Sequence, residues 1–254
     1  MKYVNEYLVN SHSVDCNNNI KPTWLIRYLQ ETANHQMRDR KPTYGEFFRA
    51  GKSFILTRIA VDVLDQIHEY DPIRVLTWSS GGKAATFDRC YSVEREGEEI
   101  IRAYSEWAVT DLFTGKLHTR SEIDLSNYES DEEIDLTIPK RFRFAKGTDF
   151  KEIRVKHVYY SEVDLNRHMT NTIYPDMLWE NIPGVEEKKV TSVNMRFRRE
   201  AAYGKDIHIG MTKMDGNPAK DPRAEEVWGF RTTVDGRTNV EAMFGLAKTG
   251  PNWK

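Results

Sequence analysis

The sequence predicts an α+β fold in which one unit occurs twice, each copy a curved antiparallel sheet wrapped round one long helix. Three observations lead there. The chain is 254 residues long, which fits one large domain or two of about 125 residues, either able to bury a core. Slid against itself by 149 residues, it sets Asp15-Cys16-Asn17-Asn18-Asn19 over Asp164-Leu165-Asn166-Arg167-His168, then Thr23 over Thr172, Leu29 over Leu178 and Glu31 over Glu180. The same succession of elements then follows each copy of that segment.

In the first copy, Pro22 precedes Trp24, Leu25, Tyr28 and Leu29, spaced as one face of a helix. In the second, Ile173, Tyr174, Met177 and Leu178 repeat the spacing, and Pro175 is compatible with a first helical turn. Strand-like segments come next: 54–64, 73–78, 87–95 and 100–112 in the first copy, and 190–200, 207–214, 225–234 and 239–249 in the second. Gly97 and the pair Asp235-Gly236 supply hairpin turns. With a short lead strand before each helix, each half is a helix whose apolar face a curved sheet can cover. That arrangement is the hot-dog fold, here as a covalent tandem. The boundaries read as 1–122 for the N-terminal unit, 123–150 for a connection and 151–254 for the C-terminal unit.

The connection is polar, with an acidic run at Glu129–Asp135 followed by Pro139-Lys140-Arg141. Phe142, Phe144 and Phe150 need packing partners, so it reads as an ordered crossing rather than a tether. Beyond the helices, Tyr70 aligns with Tyr203, which leaves the first copy about 16 residues longer, around 36–52. That insertion, with Phe47 and Phe48, is a candidate pocket wall.

Lys plus Arg is 37 and Asp plus Glu is 39, a net charge of −2, which argues against a dedicated nucleic-acid binder. The mean hydropathy is −0.67, and no apolar run approaches the roughly 20 residues a membrane span needs. The first 15 residues lack the pattern of an export signal, so a cytoplasmic location with Cys16 and Cys90 as reduced thiols is the expectation. Cys16 reads as a packed residue. The seven histidines are scattered without ligand spacing, and no metal site is expected.

Chemistry concentrates in Asp164, Asn166 and His168, which alternate just before the second helix. In extended backbone, alternate residues point the same way, and a helix N-terminus beside them favours developing negative charge. The same residue types also favour turns and caps.

The stretch DLNRHMTNTIYPDMLWENIP resembles the acyl-acyl carrier protein thioesterases, tandem hot-dog enzymes of plants and some bacteria. QETANH (Gln30–His35), SFILTR, SEWAVTDLFTGKLHTR and RFRREAAYGKDI (Arg196–Ile207) resemble further segments of that family in the same order, nearly end to end. The resemblance implies hydrolysis of a fatty acyl thioester of acyl carrier protein (ACP) without a cofactor. It implies catalytic roles for Asp164, Asn166, His168 and Glu200. Glu200 is assigned here as the general base, with the division of labour between it and His168 left open by the sequence, and Asn166 would contact water or substrate. His168 would assist at the carbonyl or the leaving thiol, and Asp164 would orient the loop. Plant members often carry Cys after that Glu; Ala201 stands here, which excludes a Cys–His covalent route at this position. Asn19 replaces the imidazole in the first copy, and the Glu200 counterpart falls near 65–67, so one site per chain is expected, with the first half holding the acyl chain.

Leu29 and Ala33 are the candidate acyl-binding residues on the first helix, beside Phe47 and Phe48. Lys188, Lys189, Arg196, Arg198 and Arg199 form one candidate docking patch for the acidic carrier, and Lys140, Arg141, Arg143 and Lys146 another. The alternatives are an acyl-CoA thioesterase, a hydroxyacyl dehydratase on the same fold, and a non-catalytic acyl-binding module. A tandem hot dog already satisfies the pairing requirement, which makes a homodimer optional.

Overall fold

The structure, a computed structural model, describes residues 1–250. The first half contains β1 (Tyr3–Leu8), α1 (Pro22–Asp39), α2 (Tyr44–Arg49), β2 (Lys52–Val63), β3 (Pro72–Gly81), β4 (Phe87–Arg95), β5 (Glu98–Asp111) and β6 (Leu117–His118). The second contains β7 (Lys151–His157), α3 (Tyr174–Trp179), β8 (Lys188–Phe197), β9 (Asp206–Lys213), β10 (Glu226–Val234) and β11 (Arg237–Lys248).

The two expected sheets are one. The strands follow the order β1-β3-β4-β5-β2-β8-β11-β10-β9-β7, with β6 on the end of β5. Read from either outer edge to the centre, the order is the same, so the halves are related by a pseudo-twofold at the β2–β8 seam. Arg58 pairs with Arg196, Ala60 with Asn194 and Asp62 with Ser192. Joining β2 to β8 removes two edges whose backbone groups would otherwise be unpaired.

Side-chain alternation sorts the seam. Ile59, Val61, Val193 and Met195 face the helices and are essentially inaccessible, while Arg58, Asp62, Asn194 and Arg196 take the other face. Both helices enter one core, where Leu25, Ile26 and Leu29 of α1 join Tyr174, Met177 and Leu178 of α3. The helix N-termini cap each other: Thr23 N donates to Asp176 Oδ1 at 2.9 Å, and Asp176 N donates to Thr23 Oγ1 at 3.1 Å. Burial pushes the Asp176 carboxyl up from its usual range, against the pull of those bonds.

The expectation of a long helix in each half holds only for the first. α1 runs 18 residues, but α3 runs six. Asn181 folds its amide back onto Met177 O at 2.6 Å. Pro183 then disfavours helical backbone at Ile182, and Gly184 turns the chain at φ +64°. In the first half, the extra residues prolong α1 and build α2, which Thr43 and Glu46 start with reciprocal side-chain caps. The insertion is 15 residues rather than 16. Tyr70 N donates to Val9 O just as Gly204 N donates to Val158 O, so Gly204, not Tyr203, is the counterpart of Tyr70.

The connection crosses the outer face as an ordered strap. Trp78 Nε1 donates to Glu132 O, Thr137 N to Asp62 Oδ2 and Asn194 Nδ2 to Pro139 O. Phe142, Phe144 and Phe150 then pack edge to face at 5.2 and 4.9 Å. Gly229 makes room for them: a Cβ there would lie 2.8 Å from the Phe144 ring.

Candidate active site

Local chemistry shapes the Asp164–His168 loop. Asp164 Oδ1 accepts from Asn166 N at 2.8 Å, Asp164 N donates to His168 O at 3.0 Å, and Arg167 turns at φ +64°. The Val163–Met169 bridge closes the loop's base, and the His168–Ala202 bridge ties the loop to the segment after β8. Met169 N donates to Ala201 O at 2.8 Å, which brings Glu200 alongside. His168 Nε2 stands 3.2 Å from Glu200 Oε2, with the imidazole one-third exposed and the carboxylate more open.

The first half completes the site. Ser53, at the start of β2, donates from Oγ to Asn166 Oδ1 at 3.4 Å. Asn166 Nδ2 has no acceptor among the described residues. Two cavities meet here. A polar cleft of about 840 Å³ is lined by His168, Glu200, Arg198, Arg199, Lys205 and Arg237. An apolar cavity of about 480 Å³ runs into the first half between Ala33, Met37, Phe87, Trp107, Leu125 and Tyr128. Asp164, Asn166, Asn171 and Phe54 line both. A reactive carbonyl beside Asn166 could therefore have an apolar tail on one side and a solvated leaving group on the other.

The mirror loop in the first half has the same geometry without the chemistry. Asp15 Oδ1 accepts from Asn17 N at 2.8 Å, Asp15 N donates to Asn19 O at 2.8 Å, and Asn18 turns at φ +59°. Ile20 N donates to Ile67 O as Met169 N does to Ala201 O, so Gln66 occupies the place of Glu200. Asn19 stands in for His168. Amides thus replace both titratable groups, and both amides are engaged: Gln66 Nε2 donates to Val190 O and Asn19 Nδ2 to Thr249 Oγ1.

The family models for the acyl-ACP thioesterase N-terminal and C-terminal domains match residues 1–123 and 145–242. The chain belongs to the acyl-ACP thioesterase family. Solved structures that share its fold include the following two. An acyl-ACP thioesterase from Bacteroides thetaiotaomicron aligns at TM-score 0.83 and 18% identity over 96% of this chain and 97% of its own. The 12:0-ACP thioesterase from Umbellularia californica aligns at 0.80 and 17% over 98% of each chain. Comparison with curated protein sequences gave no match. As a member of the family, the chain is a hydrolase of fatty acyl-ACP thioesters, and among the described residues no helix is long and apolar enough to cross a membrane.

Several candidate residues of this acyl-ACP thioesterase fall elsewhere than the sequence suggested. Ala33 lines the apolar cavity, but Leu29, one turn earlier, lies outside it in the main core with no exposed surface. Phe47 is buried behind the wall, edge-on to Phe54 at 5.1 Å, and Phe48 points to solvent. The single basic patch on β8 divides. An extended strand of ten residues puts Lys188 and Lys189 about 30 Å from Arg198 and Arg199, and Lys188 pairs with Glu226 at 2.5 Å. Arg196 and Arg198 face Glu241, whereas Arg199 and Arg237 reach the cleft without a carboxylate partner among the described residues. In the second patch, Lys140 and Arg141 are tied to Glu133 and Glu106, leaving Arg143 and Lys146 exposed. Cys16 is exposed rather than packed, because the tip of the Asp15–Asn19 turn projects it outward. Beyond their place in SFILTR, nothing in the sequence marks Ser53 and Phe54 as site residues, since only the fold carries the start of β2 to a loop more than a hundred residues away.

Proposed function

We propose that hydrolysis takes place where the polar cleft and the apolar cavity meet, with the acyl chain in the first half and the phosphopantetheine arm of the carrier in the cleft. The observation that carries this is the pair of walls shared at Asp164 and Asn166. Glu200 takes a proton from water as the water oxygen bonds to the thioester carbon. The carbonyl oxygen becomes an oxyanion and accepts from the free Asn166 Nδ2. Collapse breaks the C–S bond, and the proton passes through His168, aligned by Glu200, to the leaving thiolate. The products are a free fatty acid and the carrier thiol. Asp164 positions Asn166 through the bond to its backbone.

On this reading, the unit of residues 1–122 holds the acyl chain, the strap of 123–150 joins the halves, and the unit of 151–254 supplies the reacting groups. The carrier, strongly acidic, docks over Arg199 and Arg237 at the cleft mouth, in a cytoplasmic setting. The site is complete within one chain and needs no second copy. Thiol release from matched ACP and CoA thioesters over a salt series tests the carrier assignment. Turnover of the ACP thioester should fall with salt. Equal turnover of both, insensitive to salt, would identify a CoA enzyme.

A further inference from the structure

Among the described residues that line the apolar cavity, Arg89 is the single cation. It sits on β4 beside Phe87, Trp107 and Tyr128. Its Nη1 donates to Gln36 Oε1 at 2.5 Å and to Thr77 Oγ1 at 3.1 Å. Among the described residues it has no ion pair, and its Nε and Nη2 protons meet no acceptor. The guanidinium is nonetheless held in place. Gln36, fully buried, donates from Nε2 to Glu129 Oε2 at 2.8 Å, and Arg40 grips the other Glu129 oxygen. The amide thus has only its oxygen left to offer Arg89.

The position is deep. Asn166 reaches Ser53, which pairs with Thr110 of β5, while Arg89 pairs with Ser105 of the same strand. Those five residues correspond to roughly 17 Å along the strand, with Trp107 and Phe87 paired between them. A saturated tail that reached this depth would cover free N–H groups and give them nothing to bond, which is costly.

We propose, resting on the reading above, that the cavity takes acyl groups bearing an oxygen function near the distal end: a carboxylate, a hydroxyl or an oxo group accepting from Arg89. The shared chemistry is a hydrogen-bond acceptor on an otherwise apolar chain. An unmet donor against such a chain discriminates by more than a methylene does.

The test is calorimetric binding of saturated, ω-hydroxy and α,ω-dicarboxylic acids of matched lengths to the wild-type protein, beside thiol release from the corresponding carrier thioesters. At one or more lengths an oxygenated acid should bind about tenfold or more tighter than the saturated one. Arg89→Met should bring that ratio to within about threefold of unity, and Arg89→Lys should keep part of the dicarboxylic preference. Preference for the dicarboxylic acid alone supports a carboxylate; preference shared with the hydroxy acid supports a neutral acceptor as well. Saturated acids binding as tightly at every length would overturn the proposal, and the wild-type series decides this even if Arg89→Met fails to fold. Preferential binding of oxygenated acids with no thiol release from any thioester would sink the hydrolytic mechanism and leave this inference standing. Rapid release from saturated thioesters without any oxygenated preference would do the reverse.

Discussion

Replacing Ala33 with phenylalanine should shorten the acyl chain the enzyme prefers. Ala33 projects from α1 into the cavity of about 480 Å³ that leads away from Asn166. A ring there occupies space that on the order of four methylenes of substrate would otherwise fill, and each lost methylene burial costs about 0.8 kcal/mol. The sum, about 3 kcal/mol, predicts a loss of roughly two-hundredfold in kcat/KM for chains long enough to meet the ring. Shorter chains should keep their turnover. Leu29→Ala is the contrast: Leu29 is buried outside the cavity, so the change should cost ~2–5 kcal/mol of stability and leave the product profile alone. The assay is kcat/KM across a carrier thioester length series, with unfolding curves for both variants. A folded Ala33→Phe variant with an unchanged profile would refute the placement of the acyl chain, as would a Leu29→Ala variant that shifts the profile.

Three further outcomes follow from the geometry. Burial works against the Glu129 charge, but bonds from Gln36 and Arg40 outweigh it and hold that carboxyl below its ordinary range. Its stabilising contribution is therefore present above the unfolded value near 4.3 and fades as pH falls through the lower folded one. Glu129→Gln should cost about 1.5–3 kcal/mol at neutral pH, and the gap from wild type should narrow in acid; a gap independent of pH in urea unfolding would contradict this. Cys16 is exposed while burial pushes the Cys90 thiol up, so a maleimide should label one thiol per native chain, found by mass spectrometry at Cys16, without loss of thioesterase activity. Labelling at Cys90 before unfolding would contradict the packing of β4. Arg199→Glu should raise KM for the carrier thioester severalfold at low salt and flatten its salt dependence; an unchanged KM would move the docking surface elsewhere.

Much of this was legible because it is local. The Asp-x-Asn turn before each helix follows from side-chain bonds two residues long, so Asp15 and Asp164 announced two copies of one loop. The order of strands came from alternation and turn residues, and Phe142, Phe144 and Phe150 signalled a strap that must pack. What stayed hidden depends on distance through space. Lys188 and Arg198 are neighbours on paper, but an extended strand separates them by the width of the domain. Leu29 and Ala33 share a helix face, yet only one lies at the depth where α1 meets the cavity. Ser53 joins the site solely because β2 lies beside β8 at the seam. The short α3 could have been foreseen, since Pro183-Gly184 stands in plain view.

The central claim is that one loop, and not its mirror image, carries the chemistry. Single-turnover thiol release should be measured from a carrier thioester for wild type, His168→Ala, Glu200→Ala, Asn19→Ala and Gln66→Ala, each checked for folding. The account predicts losses of about a hundredfold or more for the two second-half variants, and changes within about threefold for the two folded first-half variants. Comparable losses at both loops, or full activity without His168 and Glu200, would contradict it.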